Sequence, residues 1–114
     1  MLTVIFEVTP KPGQAEHYFE IAAELAAALQ KIDGFISVER FESLGRPGTF
    51  LSLSTWRDEA AVRQWRNQAT HREGQREGRD TVFASYRIRV AQVLRDYSLV
   101  EREEAPTDSN AALL

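Results

Sequence analysis

The sequence predicts an α+β domain of the ferredoxin-like type, with the element order βαββαβ and a four-stranded antiparallel sheet. Two observations support this prediction. Segments with an apolar period of two, typical of strands, alternate with segments whose apolar residues recur every three or four positions, typical of amphipathic helices. The 114 residues are enough for one compact domain and too few for two.

The first strand is predicted for residues 2–9, where β-branched and aromatic side chains predominate until a Pro-Lys-Pro-Gly sequence ends it. Apolar residues then recur at helical spacing from Tyr18 to Ile32, and glutamates occupy the opposite face. We expect this helix to end at Asp33 and Gly34, where the glycine takes the C-terminal cap position.

The second strand, residues 35–43, alternates imperfectly, because its two aliphatic residues share one face and Phe41 lies on the other. A β-bulge or a twist would reconcile these positions. A loop with two glycines at residues 44–48 then predicts a hairpin that leads into the third strand, residues 50–56.

The third strand has two different faces. Leu51 and Leu53 form an aliphatic face, whereas the opposite face is small and polar with an aromatic residue at each end. Asp58 fits the N-cap of the helix that follows. Trp65 lies on the apolar stripe of that helix and points towards a core, whereas His71 lies off the stripe.

The last strand-like region, residues 82–97, is longer than most strands. We expect a kink in it, near residues 84–85 or near residues 91–92. These elements together make one domain over residues 1–100. Residues 101–114 form a polar, acidic C-terminal tail with the composition of a disordered segment.

Composition narrows the function classes. A net charge of −3 disfavours nucleic-acid binding, and the absence of cysteine excludes thiol chemistry and cysteine-ligated metals. Two distant histidines and scattered carboxylates predict no metal site. The sequence has neither the pattern of a signal peptide nor an apolar run that would span a bilayer. We therefore expect a cytoplasmic protein with no nucleic-acid or membrane partner.

The sheet is also predicted to form an interface. Two helices cover one face of a four-stranded sheet, and an exposed patch of rings on the other face usually marks a contact surface. We expect a homodimer in which two sheets pack face to face and form an α/β barrel, with a cavity between each sheet and its helices. The aromatic strand residues expected to fall on both faces are Phe6, Phe35, Phe41, Phe50, Trp56 and Phe83.

The segment from Thr55 to Leu99 resembles the antibiotic biosynthesis monooxygenase (ABM) domain family. The turn at residues 56–60 (WRDEA), the second tryptophan, the histidine and the tyrosine-rich last strand carry the resemblance, which extends over residues 2–98. It implies a dimer with a cavity between sheet and helices. Some members of this family are similar to cofactor-free oxygenases of aromatic phenols, others bind and cleave haem, and many have no known activity.

The haem-cleaving pattern fits this sequence poorly. Those members use an asparagine on the first strand, a tryptophan on the second helix and a histidine further along the chain. Trp65 matches the tryptophan, but the first strand contains no asparagine. Their histidine would fall near Gln75, and His71 comes several residues earlier. The resemblance therefore implies no cofactor, with haem as the alternative.

Trp65 and His71 are the predicted catalytic residues. Trp65 is either a core aromatic or a ring that also stacks on a planar substrate. The imidazole of His71 could take a phenolic proton near neutral pH, or it could be a surface or helix-capping residue. Trp56, Asn67 and Tyr86 complete the set as predicted substrate-binding residues, with Asn67 a candidate to stabilise an oxyanion.

We therefore predict a cofactor-independent monooxygenase that acts on a small aromatic phenol or quinol. Two alternatives stay open. One is a haem-binding or haem-degrading monooxygenase of the same fold. The other is a non-catalytic dimeric module that binds a small ligand.

Overall fold

The first six described elements follow the predicted βαββαβ order. The computed structural model describes residues 1–68, 72, 76 and 81–113. The strands are β1 (Leu2–Pro10), β2 (Phe35–Glu42), β3 (Phe50–Trp56) and β4 (Phe83–Gln92), and the helices are α1 (Ala15–Leu29), α2 (Glu59–Arg66) and α3 (Thr107–Leu113). The predicted fold class is confirmed.

The four strands form one antiparallel sheet in the order β2-β3-β1-β4. β1 is a central strand, and its residues from Leu2 to Val8 pair with β3 from Trp56 back to Phe50. This is the strand order of the ferredoxin-like fold, in which both connecting helices pack on one face of the sheet. That face is called the helix-facing side below, and the opposite face is called the outer face.

Both edge strands contain one extra residue. In β2 this residue is Ile36, since Phe35 and Ser37 pair with consecutive residues of β3. It forms a bulge, which is one of the two alternatives that the sequence left open. In β4 the extra residue is Ala84, at one of the two predicted kinks, and the strand ends at Gln92, earlier than the sequence suggested.

The outer face carries an apolar patch beside charged residues such as Glu7 and Arg89. Ile5 pairs there with Leu53, and Phe41 pairs with Leu51. Aromatic residues occupy both faces, as expected, but among the described strand residues Phe41 is the one ring of the predicted set on the outer face. The expected patch of several rings there was wrong, in part because the extra residue Ile36 turns Phe35 to the helix-facing side. The other five aromatic residues pack in or against the helix-facing core: Phe6, Phe35, Phe50, Trp56 and Phe83.

The core on the helix-facing side is divided into two clusters of buried residues. The tryptophan cluster comprises Leu29, Ile32, Trp56, Ala61 and Val62. The tyrosine cluster comprises Val8, Tyr18, Ile21 and Val82. The two clusters hold opposite ends of α1 against the sheet and leave a space between them.

The connection from α1 to β2 needs a glycine at position 34. α1 ends at Leu29, before the predicted end, and Ile32 turns into the core with its amide bonded to the Leu29 carbonyl at 3.1 Å. Gly34 has a left-handed φ of +93° and accepts a bond from the Arg57 amide at 2.8 Å. A Cβ atom there would lie 2.7 Å from the Cβ of Ala61, too close for any side chain.

The C-terminal segment contains a helix that the sequence did not predict. α3 spans Thr107–Leu113, within the predicted polar tail. Arg102 organises the segment, because its guanidinium bonds Asn110 and the Ser98 carbonyl and lies 5.0 Å from the ring centre of Tyr97. The domain boundary at residue 100 stays a prediction. In the described part of the chain, no helix has both the length and the hydropathy needed to cross a membrane.

Replacing Gly34 by alanine should destabilise the fold more than the same change at Gly13. Both glycines have positive φ, which costs an alanine about 1–2 kcal/mol, but a Cβ at Gly13 meets nothing within 4 Å. Urea denaturation of the two variants measures the difference, which we expect to be about 1–3 kcal/mol from the overlap with Ala61. An equal loss in both variants would contradict this account of the α1–β2 connection.

Candidate functional site

A cavity of about 290 Å³ lies between the sheet and the helices α1 and α2. Its floor comes from the helix-facing side chains of all four strands, and its walls come from one face of each helix. The lining is mostly apolar. Proteins rarely leave unfilled interior space of this size, because close packing is the rule in protein cores. The cavity is therefore the candidate functional site.

Small side chains keep this cavity open. On β3, Ser52 and Ser54 lie on the helix-facing side between two bulky aromatic residues, and both line the cavity. On α1, Ala22 and Ala26 line the opposite wall. The bulky residues at both ends belong to the two core clusters, so the helices cannot collapse onto the serines.

Trp56 and Trp65 close one end of the cavity. Trp56 is 1% exposed, and its indole N–H donates to the Ser54 hydroxyl at 2.9 Å. That bond leaves the Trp56 N–H no capacity to bind a ligand. Trp65 is partly buried, with its ring centre 6.4 Å from that of Trp56. Trp65 therefore packs against the tryptophan cluster and lines the cavity at the same time.

Aromatic residues also form the other end. Tyr18 is 3% exposed, and its ring centre lies 5.9 Å from that of Phe83. Tyr86 lies at the rim, 49% exposed, with its ring 5.8 Å from Phe6. Flat apolar surfaces at both ends of the cavity suit a planar or cyclic ligand, since aromatic rings pack well in offset or edge-on contacts.

The charged residues in the described lining are both arginines. Arg40 on β2 donates from Nε to the Tyr18 hydroxyl at 3.3 Å, and its guanidinium lies 5.4 Å from the ring centre of Tyr18 and 5.7 Å from that of Phe19. Arg66 lies in the last turn of α2. Both arginine residues are exposed to solvent on one side, so they stand at the rim of the cavity.

The start of α2 fixes the position of Trp65. The Asp58 carboxylate caps the helix by accepting from the Ala61 amide at 2.9 Å, as the sequence predicted. That bond, together with a bond from Arg57, lowers the pKa of Asp58. Arg57 also forks onto Asp33, with both N–O distances at 3.2 Å. The cap and the fork join α2 to the α1–β2 connection and set the direction in which Trp65 projects.

The structure brings together three of the five predicted site residues: Trp56, Trp65 and Tyr86 all line the cavity. Asn67 follows the last turn of α2, outside the lining, where its side-chain oxygen accepts from Arg72. His71 falls outside the described residues. The catalytic and substrate-binding roles stay predictions.

Sequence reasoning missed Arg40, Arg66, Tyr18 and the serines of β3. For Ser52 and Ser54 a signal was available, because two small residues flanked by aromatics on one face of a strand indicate a gap in the core. For Arg40 no local signal exists, since its partner Tyr18 is 22 residues away. Among the described residues, no three histidine, aspartate or glutamate side chains cluster to hold a metal ion.

Comparison with known proteins gives a family match. A family model described as antibiotic biosynthesis monooxygenase matches residues 1–77. A jasmonate monooxygenase of Pyricularia oryzae is 50% identical over 93 residues, which cover 82% of this chain and 43% of that protein. A candidate monooxygenase of Bacillus subtilis is 28% identical over 74 residues, covering 65% of this chain and 77% of its own length. The chain thus spans less than half the length of the fungal relative.

Solved structures agree on the fold. A candidate antibiotic biosynthesis monooxygenase of Deinococcus radiodurans superposes with a TM-score of 0.77 at 17% identity, over 87% of this chain and 98% of the other. A Mycobacterium tuberculosis protein superposes with a TM-score of 0.76 at 16% identity, over 85% and 98% of the two chains. At these identities the likeness concerns the fold alone.

Replacing Ser52 by leucine should fill the cavity without harm to the fold. The leucine buries apolar surface in existing space, so we expect an unchanged or higher melting temperature. Calorimetric titration with 1-naphthol, an aromatic probe, should show at least a tenfold loss of affinity. Thr55→Leu is the matched control, because Thr55 lies on the outer face of the same strand. Equal naphthol affinity in both variants would contradict the placement of the site.

Proposed function

The chain belongs to the antibiotic biosynthesis monooxygenase family, and we propose that it is a monooxygenase whose substrate binds in the cavity between the sheet and the helices. The observation that carries this proposal is the cavity itself, held open between two core clusters and lined by aromatic surface. Its volume of about 290 Å³ is close to the lower limit of the range for small-molecule sites, about 300–1,000 Å³. A compound of one or two rings is the size of substrate that we expect.

We propose an aromatic phenol or quinol as the substrate class. The rings of Trp65 and Phe83 border the cavity from opposite ends, and Tyr86 stands at its rim. Such walls support a planar ring by stacking and by edge-on contact. In this proposal Trp65 stacks on the substrate, Trp56 holds Trp65 in place, and Tyr86 shields the bound ring from water.

The chemistry that we propose uses no resident cofactor. A base, for which His71 is the predicted group, removes the phenolic proton, and the phenolate then supplies electrons to dioxygen. One oxygen atom enters the ring, two hydrogens leave with the other oxygen as water, and the phenol becomes a quinone. Substrate and dioxygen balance this equation without a further reductant.

Haem remains the alternative cofactor. A bound haem takes an axial ligand such as histidine, cysteine, methionine or tyrosine. Of these residue types, the described lining of the cavity contains Tyr18 and Tyr86, and His71 falls outside the described residues. The cofactor-free proposal is therefore drawn from the sequence, in which the first strand lacks the asparagine of the haem-cleaving members and His71 precedes the position of their histidine.

A second substrate class has the support of one comparison. The fungal relative that is 50% identical over 93 residues is named for its action on jasmonate, a cyclic ketone that carries a carboxylate. A non-aromatic ring of similar size would occupy the same apolar space. Because the chain spans 43% of that relative, its substrate is a candidate here and not an inherited property.

We further propose that the protein is a homodimer through the outer face. Ile5, Leu51, Leu53 and Phe41 form a continuous apolar surface there, since they pair across neighbouring strands. Phe41 is exposed in the single chain. Burial of such a surface against a second copy would produce the predicted barrel. Light scattering that gives the mass of one chain at micromolar concentration would contradict the dimer.

Oxidation of naphthols and hydroquinones tests the proposed activity. We expect oxygen uptake without added metal, flavin or haem, and one labelled oxygen atom from ¹⁸O₂ in the quinone formed from 1-naphthol. His71→Ala should slow turnover at least tenfold and leave the dimer and the circular dichroism unchanged, because it removes only the base. Turnover that requires added haem would support the haem alternative, and absence of turnover with every compound that binds would leave a ligand-binding module.

A further inference from the structure

We propose that the cavity selects ligands with a carboxylate, which Arg40 binds at the rim while the apolar body of the ligand lies inside. The preferred ligand is therefore an amphipathic monocarboxylic acid, and within the proposed substrate class it is a phenol that also carries a carboxylate. This inference rests on the proposed function in one respect, since it takes the cavity to be the substrate site. It adds the group that orients the substrate and the residue that recognises that group.

The balance of charge in the lining is the first argument. Arg40 and Arg66 both line the cavity, and no aspartate or glutamate lines it among the described residues. Neither arginine pairs with a carboxylate in the described part of the chain. Other arginines do find such partners: Arg57 pairs with Asp33, and Arg89 lies 3.5 Å from Glu7. An uncompensated positive rim around an apolar cavity attracts an anionic ligand.

The geometry of Arg40 is the second argument. The Tyr18 hydroxyl holds Nε at 3.3 Å, and the guanidinium is within 6 Å of the centres of two rings, Tyr18 and Phe19. Tyr18 is 3% exposed and belongs to the tyrosine cluster, so this support is rigid. The bond to Tyr18 uses Nε only, which leaves the two terminal nitrogens for a ligand. An arginine that is already oriented loses little side-chain entropy on binding.

The position of Arg40 is the third argument. Arg40 is exposed on one side, whereas the aromatic walls are partly or fully buried. A carboxylate bound at such a rim pairs with the guanidinium and keeps part of its hydration, which avoids the cost of burying a charge. The planar fork of arginine matches a carboxylate with two parallel hydrogen bonds. A phosphate group fits the same fork, so competition by phosphate is the measurement that separates the two anions.

Matched neutral and charged ligands test the inference on the unmodified protein. The probes are 3-phenylpropanoate, ionised at pH 7, and its methyl ester, which has the same apolar body. Calorimetric titration at low salt should give at least tenfold tighter binding of the acid. Added sodium chloride should weaken binding of the acid and leave the ester unaffected, because salt screens the pair at the rim.

Substitutions then assign the effect to one residue. Arg40→Met retains an unbranched stem over the rings of Tyr18 and Phe19, so we expect the affinity for the acid to fall to that for the ester while the ester affinity is unchanged. Arg40→Lys retains the positive charge without the planar guanidinium. Its affinity for the acid should therefore lie between that of the unmodified protein and that of Arg40→Met. Arg63→Met is the matched control, since Arg63 is an exposed arginine of α2 outside the lining.

Each outcome separates this inference from the proposed function. Equal binding of acid and ester, or equal loss of both in Arg40→Met, overturns carboxylate recognition and leaves the cavity as the substrate site. A loss of acid affinity in Arg66→Met but not in Arg40→Met overturns the assignment to Arg40. Competition by inorganic phosphate at the same concentration as the acid overturns the choice of carboxylate. If neither probe binds the unmodified protein but 1-naphthol does, carboxylate recognition is overturned and the cavity stays the substrate site. If 1-naphthol does not bind either, the proposed function fails as well.

Discussion

The choice of which β3 side chains face the helices determines the shape of the cavity that a ligand would enter. On the helix-facing side of β3 the sequence runs Phe50, Ser52, Ser54, Trp56, so two small residues stand between two large ones. The large residues anchor separate core clusters, and the serines leave the space between them unfilled. Ser54 has a second role, because it accepts the buried N–H of Trp56. The Ser54 side chain thus helps to keep the cavity open and also accepts the hydrogen bond of the buried Trp56 N–H.

The same alternation along β3 determines which side chains lie on the outer face. Because side chains alternate along a strand, placing the serines under the helices forces Leu51 and Leu53 onto the outer face. There they meet Ile5 and Phe41 from neighbouring strands. The ligand cavity and the proposed dimer surface are therefore two consequences of one register. A shift of the β3 register by one residue would place Leu51 and Leu53 in the cavity and Trp56 on the outer face. The open cavity therefore depends on the positions of the two serines.

Much of the fold could be predicted from the sequence because it is encoded in local periodicity. The strands, the bulge of β2 and the Asp58 cap all follow from residues close together in the chain. The end of α1 was missed, since Ile32 fits helical spacing but reaches the core from a turn. The face of the aromatic residues was missed because it depends on where the helices pack. α3 was missed because its composition resembles a disordered segment, and Arg102 binds it to Ser98 only in three dimensions.

The candidate site was predictable in its aromatic part alone. Trp56, Trp65 and Tyr86 could be predicted from their ring chemistry. The role of Arg40 could not, because it depends on a contact between β2 and α1 that no local sequence pattern predicts. The space over Ser52 is the proposed ligand site. A crystal structure with 4-bromo-1-naphthol tests it most directly, through the anomalous signal of bromine. We expect one strong peak between Ser52 and the alanines of α1. A peak only on the outer face, or side chains that fill the space, would contradict the account.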